Sequence, residues 1–156
     1  MTRLALTAAV LAGLTLPALT LPVLGATVPP VNQEPAKTEC SACHMAYPPG
    51  LMPARSWKAI MSNLENHFGE DASLDPETTK KIEDYLVANA ADAKGYGGIM
   101  RGLTAQDTPL KITDMPWWKW VHSEISPTYF QSKRVKSSAN CTACHFSGDK
   151  GYFEED

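Results

Sequence analysis

Cys40-Ser41-Ala42-Cys43-His44 and Cys141-Thr142-Ala143-Cys144-His145 are the two stretches that decide the architecture of this chain. Both follow the pattern C-x-x-C-H, which is typical of covalent c-type haem attachment. Two thiols three positions apart form thioethers to one haem, and the histidine that follows supplies an axial imidazole to its iron. Because positions i, i+3 and i+4 share a helix face, we predict a helix at each motif. Thr38 is the expected cap of the first helix, and Ser138 or Asn140 that of the second.

The paired cysteines also have other interpretations. A C-x-x-C pair in an exported protein is found as a structural disulfide or as a thiol–disulfide redox site, and two such pairs can bind zinc. None of these explains why a histidine follows both pairs, and no strand pattern supports the βαβ context of a thioredoxin-type site. The sequence therefore predicts two haem c groups. The predicted thioether residues and proximal ligands are Cys40, Cys43, Cys141, Cys144, His44 and His145.

His67 and His122 are the other two histidines of the chain, one for each predicted haem. Each falls on a predicted amphipathic helix, the first over 54–68 and the second from about residue 114 until Pro127 ends it. An imidazole on an apolar face is either hydrogen bonded in the core or bound to iron. We predict that both histidines ligate iron, and the spacing leaves open which haem each serves. The competing sixth ligands are Met45, Met52, Met61, Met100 and Met115, with the last two as the main rivals.

Residues 1–26 have the layout of a secretory signal peptide. A short positive start ending at Arg3 precedes an uncharged apolar run over 4–24, and Gly25 and Ala26 are small residues at the expected cleavage point. The alternative is an uncleaved membrane anchor, which the prolines in the run disfavour. The sequence therefore predicts a periplasmic protein, and it has no other apolar run long enough to span a membrane.

The charge of the chain excludes nucleic acid as a partner class. Without residues 1–26 it has thirteen basic and seventeen acidic residues, a net charge of −4. Residues 27–92 carry a net charge of −5 and residues 93–156 a net charge of +1. Such an asymmetry can orient a redox partner during encounter, although it is also common on solvated surfaces.

The remaining pattern predicts an all-α, loop-rich fold. Residues 27–37 are proline-rich and polar and are expected to be an exposed leader, whereas residues 75–77, Asp-Pro-Glu, give a strong helix start. The glycine-rich stretch 90–105 is expected to link two halves of the chain. Residues 154–156 are expected to form a solvated tail.

The chain resembles the bacterial dihaem cytochrome c family over nearly its whole length after residue 26. The residues that carry the resemblance are C-x-A-C-H-M-A-Y-P-P-G-L-M-P-A-R-S-W at 40–57, N-H-F-G-E-D-A-S-L at 66–74, Trp117, Trp118, His122 and the motif at 141–145. The resemblance implies a cytochrome c-like N-terminal haem domain at 27–92 and a small, atypical C-terminal haem domain at 93–156.

The same resemblance implies a ligand set and partners. Both haems would be bis-histidine, one with His44 and His67 and the other with His122 and His145. An oxygen-binding monohaem cytochrome and a membrane b-type cytochrome would be redox partners, and contact with the membrane would come through such a partner alone.

The expected function is that of a periplasmic electron carrier that passes electrons between a membrane or soluble donor and a redox partner, not that of an enzyme. Two alternatives stay open. One is a haem enzyme or gas-binding protein, in which one iron has an open position. The other is a small dihaem subunit of a larger reductase.

Overall fold

The computed structural model describes residues 27–153, and this part of the chain is helical. Within it, β pairing is limited to two isolated bridges, Thr27 with Tyr152 and His67 with Glu70. The all-α, loop-rich prediction is therefore confirmed. The α-helices are α1 (Glu34–Cys40), α2 (Ala54–Met61), α3 (Pro76–Ala88), α4 (Gly97–Met100), α5 (Pro116–Val121) and α6 (Pro127–Phe130). Short 3₁₀ helices lie at Pro49–Leu51, Leu64–Asn66, Ile112–Asp114, Cys141–Ala143 and Gly148–Lys150.

The hydrophobic core forms around α3, on which both α1 and α2 pack, while α4 lies against α5. Its larger side chains are almost fully shielded from solvent, and their burial is the main favourable term in folding. The buried members of this core are Val28, Val31, Ala36, Leu51, Met52, Trp57, Met61, Ile82, Leu86, Ala90, Ala91, Ile99, Ile112 and Met115.

Helix α3 forms as predicted because its signals are local. The Asp75 side chain accepts hydrogen bonds from the backbone N–H groups of Glu77 and Thr78, and Pro76 occupies the first helical position. Ile82 and Leu86, one turn apart, put the apolar face of the helix into the core.

The helix before His67 is shorter than predicted. α2 ends at Met61, and His67 comes after the 3₁₀ helix Leu64–Asn66. Phe68 at φ 58° and Gly69 at φ 101° then reverse the chain, and a right-handed helix cannot continue through two left-handed residues. The apolar periodicity extends past α2 because the 3₁₀ helix still packs against the core.

The helix before His122 is also shorter than predicted. Ile112–Asp114 is a separate 3₁₀ helix, α5 begins at Pro116 and ends at Val121, and His122 is its C-cap. Pro127 begins α6 and does not end the earlier helix. Both histidines therefore lie just beyond a helix end and not on a continuous helical face.

The expectation of an exposed leader at 27–37 is wrong. Val28 is 2% exposed and Ala36 is fully buried. The Val28 N–H donates to the carbonyl of Gly151 at 3.1 Å, next to the bridge between Thr27 and Tyr152. Prolines in this segment are compatible with packing because Pro29 and Pro30 precede α1 and Pro35 lies in its first turn, where no intrahelical donor is needed. Residues at the start of the described part of the chain are thus hydrogen bonded to residues near its end.

The stretch 90–105, which is predicted to link two halves of the chain, contributes Ala90, Ala91 and Ile99 to the core. Ala90 and Ala91 are fully buried, and the Ala91 N–H donates to the Met52 carbonyl at 2.9 Å. The same core contains Val28 and Met115, so it extends to both sides of position 92. The division into domains at 27–92 and 93–156 stays a prediction.

No helix within residues 27–153 is long and apolar enough to cross a membrane. The predicted signal peptide at 1–26 and the predicted tail at 154–156 lie outside the described residues.

Gly151→Ala is expected to destabilise the protein. Gly151 has φ 85°, and a Cβ at this position would overlap the carbonyl oxygen of Val28. Left-handed strain together with overpacking should lower the free energy of unfolding by about 2–4 kcal/mol. Denaturant unfolding of the haem-loaded protein measures this change.

Gly97→Ala is the matched control, because a Cβ there meets nothing within 4 Å and the φ angle is unremarkable. Its stability should stay within about 0.5 kcal/mol of the wild type. Equal stability of the two variants would contradict the close packing of Gly151 against the Val28 carbonyl.

Candidate haem-binding sites

The first C-x-x-C-H motif begins at the end of a helix. Cys40 is the last residue of α1, and Cys43 and His44 lie in the turns that follow. The helix predicted through the motif therefore stops at its first cysteine. Its N-cap is Gln33, whose side chain accepts from the N–H of Ala36, and the predicted cap Thr38 lies inside the helix.

The structure brings His44 and His67 together. Their ring centroids are 6.1 Å apart and their planes are inclined by 25°. Nδ1 of His44 donates to the Met45 carbonyl at 2.7 Å, which leaves Nε2 as the nitrogen that can bind a metal. Sequence reasoning from the residues left this pairing open, and the fold places the two histidines side by side.

A tight turn holds the His67 ring. The His67 N–H donates to the Glu70 carbonyl at 2.8 Å, and the Glu70 N–H donates to the His67 carbonyl at 3.2 Å. Phe68 and Gly69 are the two central residues of this turn, and the Phe68 ring lies edge-on to the imidazole at 4.9 Å. Lys111 Nζ lies 5.3 Å from the centroid of Phe68, within cation–π range.

The second motif forms a short 3₁₀ helix at Cys141–Ala143, not an α-helix. The His145 N–H donates to the Cys141 carbonyl at 2.8 Å, which brings the histidine back beside the first cysteine. Asn140 is at the N-cap position as predicted, but its side chain donates to the Val135 carbonyl instead of capping.

His122 and His145 form the second pair. Their ring centroids are also 6.1 Å apart, but their planes are inclined by 86°. Nδ1 of His122 donates to the Trp118 carbonyl at 2.9 Å, and the indole of Trp118 stacks on the imidazole at 4.3 Å. Carbonyl partners of this kind fix the tautomer and orientation of metal-binding histidines.

A large apolar cavity surrounds the second pair. Its volume is about 1150 Å³, above the range of about 300–1,000 Å³ usual for small-molecule sites. Cys141, Cys144 and both histidines line it, together with Trp118 and Phe153. Nδ1 of His145 is buried with no hydrogen-bond partner among the described residues. These residues fit a covalently attached haem.

Four of the five competing methionines belong to the core, and the fifth, Met45, follows His44 directly and is partly exposed. Met52, Met61 and Met115 are buried in the core, and Met100 packs against it. The described residues that line the cavity include no methionine.

Burial acts on the ionisable groups of both sites. It lowers the pKa of His67, with a smaller contribution from His44, so the imidazole is kept neutral. It raises the pKa of Cys40 and raises that of Cys141 to about 11. It also raises the pKa of Tyr47 to about 12, so that the phenol stays protonated and can donate. None of the four cysteines is joined to another in a disulfide.

Residues 36–153 match the family model described as dihaem cytochrome c. The chain belongs to the dihaem cytochrome c family. It therefore carries two haem c groups, and the disulfide, thiol-redox and zinc interpretations of the cysteines are wrong. A comparison with curated proteins finds no match.

Solved structures of this family are similar to the chain. A diheme cytochrome c from Rhodobacter sphaeroides is 53% identical, with a TM-score of 0.75, and the match covers 82% of this chain and 100% of that one. A crystal structure of DHC purified from the same organism is 48% identical, with a TM-score of 0.68 and coverages of 80% and 99%. A diheme cytochrome type c from Shewanella baltica OS155 is 41% identical, with a TM-score of 0.64 and coverages of 77% and 85%.

Two residues of the sites were not predicted in these roles. Tyr47 stacks on His44, and Trp118 both stacks on His122 and accepts its hydrogen bond. Trp118 lies four residues before His122, so a helical turn between them was a usable sequence signal. The role of Tyr47 depends on where the chain folds, and its sequence context, followed by two prolines, indicates only a turn.

Removing one cysteine pair should remove one haem. The Cys141→Ala, Cys144→Ala double variant is expected to carry a single covalent haem, measured by mass spectrometry of the denatured protein and by the pyridine haemochrome. The Cys40→Ala, Cys43→Ala double variant is the matched control and should also retain one. Two covalent haems in either variant would show that the assignment of the thioether residues is wrong.

Proposed function

We propose that this dihaem cytochrome is an electron carrier whose irons are each held by two histidines, His44 with His67 and His122 with His145. The haem groups supply one-electron Fe(III)/Fe(II) chemistry. The chain provides the axial imidazoles, fixes their orientation and surrounds the second site with apolar side chains.

The observation that supports this proposal most directly is the separation of the paired imidazoles. A metal–nitrogen bond of about 2 Å, with about 1.1 Å from each nitrogen to its ring centroid, puts two imidazoles on one metal roughly 6.2 Å apart. Both pairs have a separation of 6.1 Å. Four of the five alternative methionines, Met52, Met61, Met100 and Met115, contribute to the core instead.

Two histidines on each iron favour electron transfer over catalysis. With both axial positions filled, peroxide, nitrite or a diatomic gas has no open coordination position. Bis-histidine ligation lacks the methionine that raises the potential of many c-type cytochromes. The carbonyl bonds to Nδ1 of His44 and His122 make these imidazoles more basic, which also favours the ferric state and a low reduction potential.

We place the protein in the periplasm, where its predicted signal peptide would deliver it. Its partners would be other redox proteins, among them the oxygen-binding monohaem cytochrome and the membrane b-type cytochrome implied by the resemblance. The net charge is −5 over residues 27–92 and +1 over residues 93–156, and this difference supports an oriented encounter with such partners.

Removing a distal histidine should open one iron and leave the other closed. His122→Ala and His67→Ala are each expected to give one high-spin haem that binds carbon monoxide, while the second haem stays low-spin. The wild type should show two low-spin haems and no carbon monoxide shift. Optical spectra of the oxidised and reduced proteins, with and without carbon monoxide, measure this.

Met100→Leu is the control, because Met100 was a rival ligand and is placed against the core. It should leave both haems low-spin. Two low-spin haems in His122→Ala would contradict the ligand assignment. Carbon monoxide binding by the wild type would instead favour the gas-binding or enzymatic alternative.

The two ferric haems should give different EPR signals. Nearly parallel imidazole planes separate the energies of the two iron d orbitals that interact with the rings. Perpendicular planes leave these two orbitals nearly equal in energy. The pair at 25° should therefore give a rhombic low-spin signal, and the pair at 86° a highly anisotropic signal with one large g value. His67→Ala should remove the rhombic signal alone, and loss of the anisotropic one in its place would contradict the assignment.

A further inference from the structure

We propose that Tyr47 is a positioning residue that joins the two haem sites and controls electron exchange between them. This inference rests on the proposed function, because it concerns how one electron passes from one site to the other. It goes beyond the ligand set by assigning a role to a side chain that neither motif contains.

One end of Tyr47 contacts the first site. Its ring lies 4.8 Å from the His44 ring, centroid to centroid, and the two planes are inclined by 24°. The phenol therefore covers the face of the imidazole predicted to be the proximal ligand. Such offset stacking restricts rotation of both rings.

The other end of Tyr47 reaches the second site. The phenol oxygen donates to the Ala139 carbonyl at 2.7 Å, between residues 92 positions apart in the chain. The same carbonyl accepts the N–H of Cys141 at 3.0 Å, and the Cys141 thiol lies 3.6 Å from it. The Ala139 carbonyl thus accepts hydrogen bonds from both the Tyr47 hydroxyl and the backbone N–H of Cys141, the first cysteine of the second motif.

The backbone behind Tyr47 is rigid. Pro48 and Pro49 follow it and are both fully buried, and a residue before proline has a restricted backbone. The Trp57 indole N–H donates to the Pro49 carbonyl at 2.7 Å, which ties this segment to α2 and the core. Tyr47 therefore extends from a fixed point, and the peptide of Ala139 is held against it.

These contacts make a short connected path between the sites. It runs from the His44 ring through the stacked phenol and its hydrogen bond to the Ala139 peptide, and then along two residues to Cys141. One electron leaves the reduced site and arrives at the oxidised site, so that the first becomes Fe(III) and the second Fe(II). No bond forms or breaks, no proton is transferred, and Tyr47 itself is neither oxidised nor reduced.

Tyr47→Phe removes the hydrogen bond and keeps the ring. Tyr85→Phe is the matched control, because the Tyr85 hydroxyl accepts the N–H of Asn32 at 3.1 Å, away from both motifs. Both variants lose one phenol oxygen and one hydrogen bond. The haem-loaded proteins are compared by pulse radiolysis, in which a viologen radical reduces one site and the electron then redistributes, and by hydrogen exchange of the peptide 137–146.

In Tyr47→Phe the backbone amide hydrogens of residues 137–146 should exchange about fivefold faster. Loss of one ordinary hydrogen bond changes the equilibrium between the closed and locally opened backbone by about that factor. Electron redistribution between the sites should slow in the same variant. Tyr85→Phe should leave both measurements at the wild-type values. Tyr47→Leu, which also removes the stacked ring, should slow redistribution further.

Unchanged redistribution and unchanged hydrogen exchange in Tyr47→Phe would overturn the proposal, as would equal changes in Tyr85→Phe. Faster hydrogen exchange with unchanged redistribution would also overturn it, because Tyr47 would then be structural alone. If the wild type shows no redistribution although both haems are reducible, Tyr47 has no exchange to control and the proposal is overturned, whereas the electron-carrier function is judged by the carbon monoxide spectra of the wild type and the histidine variants.

Discussion

Two imidazole rings lie beside each other in each site, and this pairing explains where the chain leaves regular helix. His67 lies after a left-handed reversal at Phe68 and Gly69, and His122 lies one residue past the end of α5. A ring at a helix end can turn toward a partner more freely than one inside a helix, whose direction the backbone fixes. Each motif histidine is also 23 residues from its partner, which follows the motif in the first site and precedes it in the second. In both sites the ring centroids are 6.1 Å apart.

The two sites reach the same separation by different means, and this gives them different ring planes. His67 is held through its backbone, by the reciprocal hydrogen bonds with Glu70. His122 is held through its ring, which lies on the Trp118 indole with Nδ1 bonded to the Trp118 carbonyl. The plane of His122 therefore follows that of Trp118 and turns across His145, whereas His67 stays almost parallel to His44. The difference between the two histidine pairs thus originates in the residues that hold His67 and His122.

The sequence predicted those features that depend on local chemistry. The two motifs, the count of spare histidines and the capped start of α3 at Asp75 need no knowledge of the fold. Helix boundaries near His67 and His122 failed because apolar periodicity reports burial, and a 3₁₀ helix can supply burial as well as an α-helix. The burial of Val28 and the role of Tyr47 depend on partners at Gly151 and Ala139, far away in the chain, so no local pattern could reveal them.

The same two long-range hydrogen bonds help to attach the second site to the rest of the molecule. The common core extends from Val28 to Met115, and beyond it Val135 is the one buried apolar residue with a sizeable side chain among those described. Ile125, Phe130, Val135 and Phe153 line the large cavity, so a haem bound there would supply much of the core of this part of the chain. Its position relative to the first site is held in part by the hydrogen bonds from Val28 to Gly151 and from Tyr47 to Ala139. Substitutions at these contacts should therefore alter the relation between the haems before they unfold the core around α3.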